Sequence, residues 1–83
     1  MPTPDVIRNL QNLRQQLENS RTFPNYTVLK QHVDTALAAP EHKPHYASLR
    51  ERLVESSLEA EVKHPELAAS IQGVMASLTA AGL

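Results

Sequence analysis

Residues 62–83, VKHPELAASIQGVMASLTAAGL, decide how many helices this chain forms. Pro65 inside a helix would remove one backbone hydrogen bond and press its ring against the carbonyl of Glu61. At the first position of a new helix the same ring is well tolerated, and Glu66 in that first turn meets the positive end of the helix dipole. The stretch therefore reads as a boundary at His64 followed by a separate helix over 65–80, closed by Gly82 as a C-terminal cap residue. Two lines run along that helix. Leu67, Ile71, Val74, Met75 and Leu78 form a line of large residues, and Ala69, Gly73, Ser77 and Ala81 a line of small ones. A mid-helix glycine costs about 1 kcal/mol relative to alanine, so Gly73 predicts the close approach of another backbone.

Working back from this helix, Tyr46, Leu49, Leu53, Val54, Leu58 and Val62 predict an amphipathic helix over 46–63, with Arg50, Glu51, Arg52, Glu55, Glu59 and Glu61 on its other faces. Ahead of it, residues 39–45 carry Pro40 and Pro44, each of which disfavours helix at the residue before it, so this segment reads as a short polar connector. Tyr26, Leu29, Val33 and Leu37 predict a helix over 26–38, following a turn at Phe23-Pro24-Asn25 in which Asn25 can cap. At the N-terminal end Val6, Leu10, Leu13 and Leu17 recur at alternating spacings of four and three, a narrow apolar seam over 4–19. Thr3, Pro4 and Asp5 supply its start signal. The expected fold is all-α: one small domain of four helices, arranged as two antiparallel helical hairpins joined by the proline-containing loop.

With 83 residues and no cysteine, the domain has neither disulfides nor a thiolate metal site to brace it, which leaves tight packing or association with another chain. Eight Lys and Arg against nine Asp and Glu form no basic face, which argues against nucleic acid or an anionic membrane as partner. The uncharged run from Leu67 to Leu83 is too short and too rich in small and polar residues to span a bilayer. An N-terminus lacking a basic segment followed by an apolar run points to a cytoplasmic protein.

Chemistry has few footholds. His42 and His45 are three apart, a spacing that suits a metal on a helix, but Pro44 between them favours a surface loop, and a structural zinc wants about four ligands. His32 lies beside the seam of the second helix with no evident carboxylate partner. His64 reads as the residue that turns the chain before Pro65 and caps the last helix with its ring. There is no cysteine nucleophile, no Gly-x-Ser-x-Gly turn and no glycine-rich phosphate loop, so no enzyme is expected, and no cofactor or metal.

Glu61-Val62-Lys63-His64-Pro65-Glu66-Leu67-Ala68, together with the terminal Leu78-Thr79-Ala80-Ala81-Gly82-Leu83, resembles a family of short bacterial helical proteins catalogued as domain of unknown function 4404. Members begin with a Leu-rich helix and carry a His-Pro-x-Leu segment before a terminal Gly-Ile or Gly-Leu. The resemblance covers both ends of the chain and not residues 21–48. It departs at Ala60, where members carry an aromatic, and it implies no activity, cofactor or catalytic residue.

The expected function is that of a non-enzymatic protein-interaction module that self-associates, with a dimer favoured. The expected interaction residues are on the last helix: Leu67, Ala69, Ile71, Gly73, Val74, Ser77, Leu78 and Ala81. One of its two lines would serve the chain's own core and the other a neighbour. The alternatives are a monomeric adaptor that binds a partner protein's helix through the same surface, and a weak metal binder built on His42, His45 and His32.

Overall fold

Three of the four helices begin on a proline or carry one in their first turn, where the missing N–H costs nothing. In the computed structural model, which describes residues 4–83, α1 runs Pro4–Glu18, α2 Tyr26–Ala38, α3 Lys43–Lys63 and α4 Pro65–Ala80. The expected cap at Thr3 lies outside the described residues. Each helix packs on two others, α1 on α2, α2 on α3, α3 on α4 and α4 back on α1.

Side-chain bonds give the direction of each pairing. Glu18 meets Lys30 while Arg14 meets Asp34, so α1 and α2 are antiparallel. Arg50 reaches Thr79 and Glu61 meets Gln72, so α3 and α4 are antiparallel as well. The result is the expected all-α four-helix domain, an up-down-up-down bundle measuring 33 × 20 × 19 Å.

The core takes one stripe from each helix. Val6, Leu10, Leu13 and Leu17 of α1 are fully buried, as the seam predicts, and so are Leu29, Val33 and Ala36 of α2. Leu67, Ile71, Val74 and Leu78 of α4 complete the set. Phe23, in the α1–α2 connection, is buried at one end of the bundle, where its ring meets that of His64 edge-on at 5.5 Å between centroids.

α3 departs from expectation at its start and in its inward face, while its end at Lys63 is as expected. It begins at Lys43 and not at residue 46, because Pro44 falls in its first turn, where a proline starts a helix as readily as it ends one. Its inward face also differs. Tyr46, Leu49 and Leu53 point inward, but the stripe continues through Ser56 and Ala60, while Val54, Leu58 and Val62 face out. At about 100° per residue, Val54 lies a quarter-turn round from Leu53, and the line 54, 58, 62 drifts further from the core with each step. Small residues suffice at 56 and 60: Asn25 of the α1–α2 connection donates from Nδ2 to Ser56 Oγ at 3.4 Å, so that connection lies close over this part of α3.

The single-residue break at His64 is as expected, with Pro65 opening α4. Two side-chain caps are not formed. Asn25 and His64 both occupy N-cap positions, but neither makes a side-chain cap bond: Asn25 is engaged with Ser56, and the His64 ring lies against Phe23. At the other end of α4, Gly82 adopts φ +74°, the N–H of Leu83 donates to Leu78 O at 2.8 Å and that of Gly82 to Thr79 O at 3.1 Å. This is a Schellman closure, and it needs a residue that tolerates left-handed φ.

Candidate interaction surfaces

The two lines on α4 have different fates. Leu67, Ile71, Val74 and Leu78 are fully buried within the chain, so their apolar surface is already covered by α1 and α3. In the small line only Ala69 is exposed, and Gly73, Ser77 and Ala81 are partly covered. The neighbour at this line is α1 of the same chain. Asn9 donates from Nδ2 to Ser77 Oγ, and Ser77 donates in turn to Gly73 O at 2.8 Å.

A Cβ on Gly73 would stand 3.5 Å from Asn9 Oδ1, an ordinary contact with a side chain. The expected close approach of a backbone is not there. Gly73 makes room for a polar side chain and would accept a methyl group. A leucine at this position would meet Asn9, so it would perturb the α1–α4 packing as well as any outer contact.

The uncovered apolar surface is on α3. Val54, Leu58 and Val62 are 54%, 73% and 79% exposed, and with a spacing of four they form one continuous line along the helix. Ala47 and Glu51, both exposed, continue the line toward the N-terminus at spacings of four and three, which makes it a second seam on the side of α3 away from the core. The spacing of Tyr46, Leu49, Leu53, Val54, Leu58 and Val62 predicts one apolar face, and the structure divides it into two. The signal that separates the two seams is continuity with Tyr46, Leu49 and Leu53, which extends to 56 and 60 and not to 58 and 62.

Charged side chains tie the bundle edges together. Glu18 accepts from Lys30 at 3.1 Å, from Arg21 at 2.8 Å and from the Tyr26 hydroxyl at 3.1 Å. The Lys30 hydrogen bond, then those of Arg21 and Tyr26, hold its carboxyl at about 2, well below the usual carboxylate range. Arg14 Nε stands 3.2 Å from Asp34 Oδ1, close enough for an ion pair but without hydrogen-bond geometry. Arg50 joins α3 to the end of α4 through Thr79 Oγ1 at 3.3 Å and Leu83 O at 2.9 Å. The Tyr46 hydroxyl donates to Pro40 O, which pins the α2–α3 connection, and burial pushes its pKa up.

His42 and His45 are brought together, with ring centroids 4.2 Å apart, His42 as the residue preceding α3 and His45 in its first turn. His32, on α2, does not join them in any metal-holding group. Among the described residues no group of three or more His, Asp or Glu side chains is placed to hold a metal ion. Two shallow clefts are present, one along Ala38–His42 and one between the end of α1 and the α3–α4 junction, the latter lined by Gln16, Asn19, Ser20, Lys63, His64, Pro65 and Glu66. Among the described residues no helix is long and apolar enough to cross a membrane.

The chain matches no family model, no curated protein and no solved structure in comparisons with each. Function is therefore argued from the surfaces alone.

Proposed function

We propose that this chain is a non-enzymatic protein-interaction module that self-associates, and that the surface it uses is the outer seam of α3. The observation that carries this reading is the exposure of Val54, Leu58 and Val62 in one line, on a protein whose other long apolar stripes are all buried. Fully burying a Val or Leu side chain contributes about 1.5–3 kcal/mol, and roughly two-thirds of that is still outstanding on average over the three positions. Two copies together would gain about 6–12 kcal/mol from these residues, against an association cost of about 4–15 kcal/mol. Gain and cost are of similar size, so the dimer is a weak one. Light scattering over a dilution series from micromolar to millimolar protein tests it, and a mass that stays at one chain throughout would remove the reading in favour of a monomeric adaptor for another protein's helix.

The eight α4 positions enter this proposal in a reduced role. Leu67, Ile71, Val74 and Leu78 hold the fold that presents α3, and Ala69 is the one small residue free to take part in a contact. A second reading has one observation in its favour. The His42–His45 ring pair at the start of α3 has the spacing of a two-nitrogen metal clamp, and calorimetric titration with zinc tests it, a trace without heat disposing of it.

A further inference from the structure

The buried stripes of α3 and α4 keep step across the break at His64. Tyr46, Leu53, Ala60, Leu67 and Val74 follow one another at intervals of seven, and all of them are buried. On a continuous helix such a line drifts only about 20° per interval, so both stripes would share one face of a single helix from Lys43 to Ala80. The hydrogen-bond ladder also reaches the break from both sides. The N–H of His64 donates to Ala60 O at 2.7 Å, and that of Ala68 donates to His64 O at 2.9 Å.

His64 is the one residue between the two helices, and its φ of −137° and ψ of 71° are far from the helical values of about −63° and −42°. Two features hold it there. Pro65 disfavours helical backbone at the residue before it, and inside a helix its ring would press on the carbonyl of Glu61. The His64 ring, in turn, lies against Phe23. A change confined to such a hinge residue is enough to re-aim the element that follows it.

Brought into line, α3 and α4 of one chain no longer pack on each other, and the buried stripe of α4 needs the same cover from elsewhere. A second copy supplies it in the same geometry. In the closed chain the antiparallel pair is tied by Arg50 to Thr79 and by Gln72 to Glu61, and both ties are centred close to Pro65. Two straightened helices laid antiparallel and crossing at that point restore both ties between copies, with α3 of each beside α4 of the other. Because the stripes share a face, both halves of each long helix can meet the α1–α2 hairpins. The arrangement has a two-fold axis and closes at two chains. Short hinge connections invite exchange of this kind.

We infer that Pro65 is a latch against exchange of α4 between copies: with proline there His64 stays bent and the chain closed, and without it α3 and α4 join into one helix whose α4 half docks on α1 of a second copy. This exchange is independent of the outer seam of α3.

Pro65 is exposed, so Pro65→Ala removes no core contact, and the chain has no cysteine of its own. Glu61→Cys and Gln72→Cys are placed together in the wild-type and Pro65→Ala chains, circular dichroism verifies folding, and a short bis-maleimide is added. The two thiols face each other across α3 and α4 in either state, but on one straight helix they are about 16 Å apart, beyond the reach of the linker. The wild type is expected to be linked within single chains. Pro65→Ala is expected to have a two-chain mass in light scattering and to give a covalent two-chain band on denaturing electrophoresis. Pro65→Gly, which frees His64 but propagates helix poorly, should exchange less than Pro65→Ala. Adding Leu58→Glu to Pro65→Ala should leave the exchanged dimer intact. A Pro65→Ala chain of single-chain mass throughout a dilution series, or a dimer still linked within its own chains, would overturn the latch. A wild type that never self-associates would remove the outer-seam reading and leave this one standing.

Discussion

Leu53 and Leu58 are the same residue five positions apart on α3, and the structure assigns them opposite roles. Leu53 is fully buried and Leu58 is 73% exposed. Truncating Leu53 to alanine removes core contacts and leaves a cavity, a change that costs about 2–5 kcal/mol at such sites. A domain of this length has a total stability of about 4–12 kcal/mol, so Leu53→Ala should remove a large share of it. Leu58→Ala takes away side-chain surface that already faces water in the single chain, and such changes usually fall within about 0.5 kcal/mol. Urea unfolding followed by circular dichroism at 222 nm, at protein concentrations low enough to keep chains apart, reads both numbers. Equal losses, or a Leu58→Ala loss above about 1.5 kcal/mol at low concentration, would mean that α3 is rotated from the orientation described here and that its outer seam is part of the core.

Three further outcomes follow from local geometry. Gly73→Ala places a methyl in ordinary contact with Asn9 and gains helix propensity of about 1 kcal/mol, so the melting temperature should rise, whereas a fall would mean that α1 lies closer to α4 than described. Gly82→Ala puts a Cβ on a residue at φ +74° and should cost about 1–2 kcal/mol in thermal unfolding; no loss would show that the Schellman closure is not maintained in solution. Glu18 is held at about 2 in the folded chain against an ordinary value of 4.5, so its ion pairs contribute stability that is present above 4.5 and lost as pH falls toward about 2. Urea midpoints for the wild type and Glu18→Gln should therefore converge across that interval, and a constant offset from pH 6 to pH 2 would contradict the Lys30–Glu18–Arg21 cluster.

Much of the fold was legible because the informative residues act locally. Pro65 and Gly82 mark the two ends of α4 through their own backbone restrictions, and the seam of α1 stands out since no second apolar line competes with it. α3 is ambiguous in sequence for the opposite reason. It carries two apolar lines nearly half a turn apart, and in its second half the larger residues, Leu58 and Val62, lie on the outer line while Ser56 and Ala60 lie on the inner one. What fixes the inward face at Ser56 and Ala60 is a tertiary fact, the passage of the α1–α2 connection with Asn25 and Phe23 over that end of the bundle. Periodicity within one helix carries no trace of it. The expected contact surface on α4 rests on its uncharged faces and its line of small residues, and the large line of that helix is buried against α1 and α3. Pro44 was similarly ambiguous, since a proline within the first turn reads like one in a loop until the hydrogen bonds that follow it are known.

Sedimentation equilibrium on the wild-type chain and on Leu58→Glu, each over a range of concentrations, tests the central claim that α3 presents a self-association surface. A concentration-dependent monomer–dimer equilibrium is expected for the wild type, and a monomer at every concentration for Leu58→Glu with thermal unfolding of the single chain unchanged. A wild-type chain that is monomeric throughout, or a dimer that Leu58→Glu leaves intact, would contradict it.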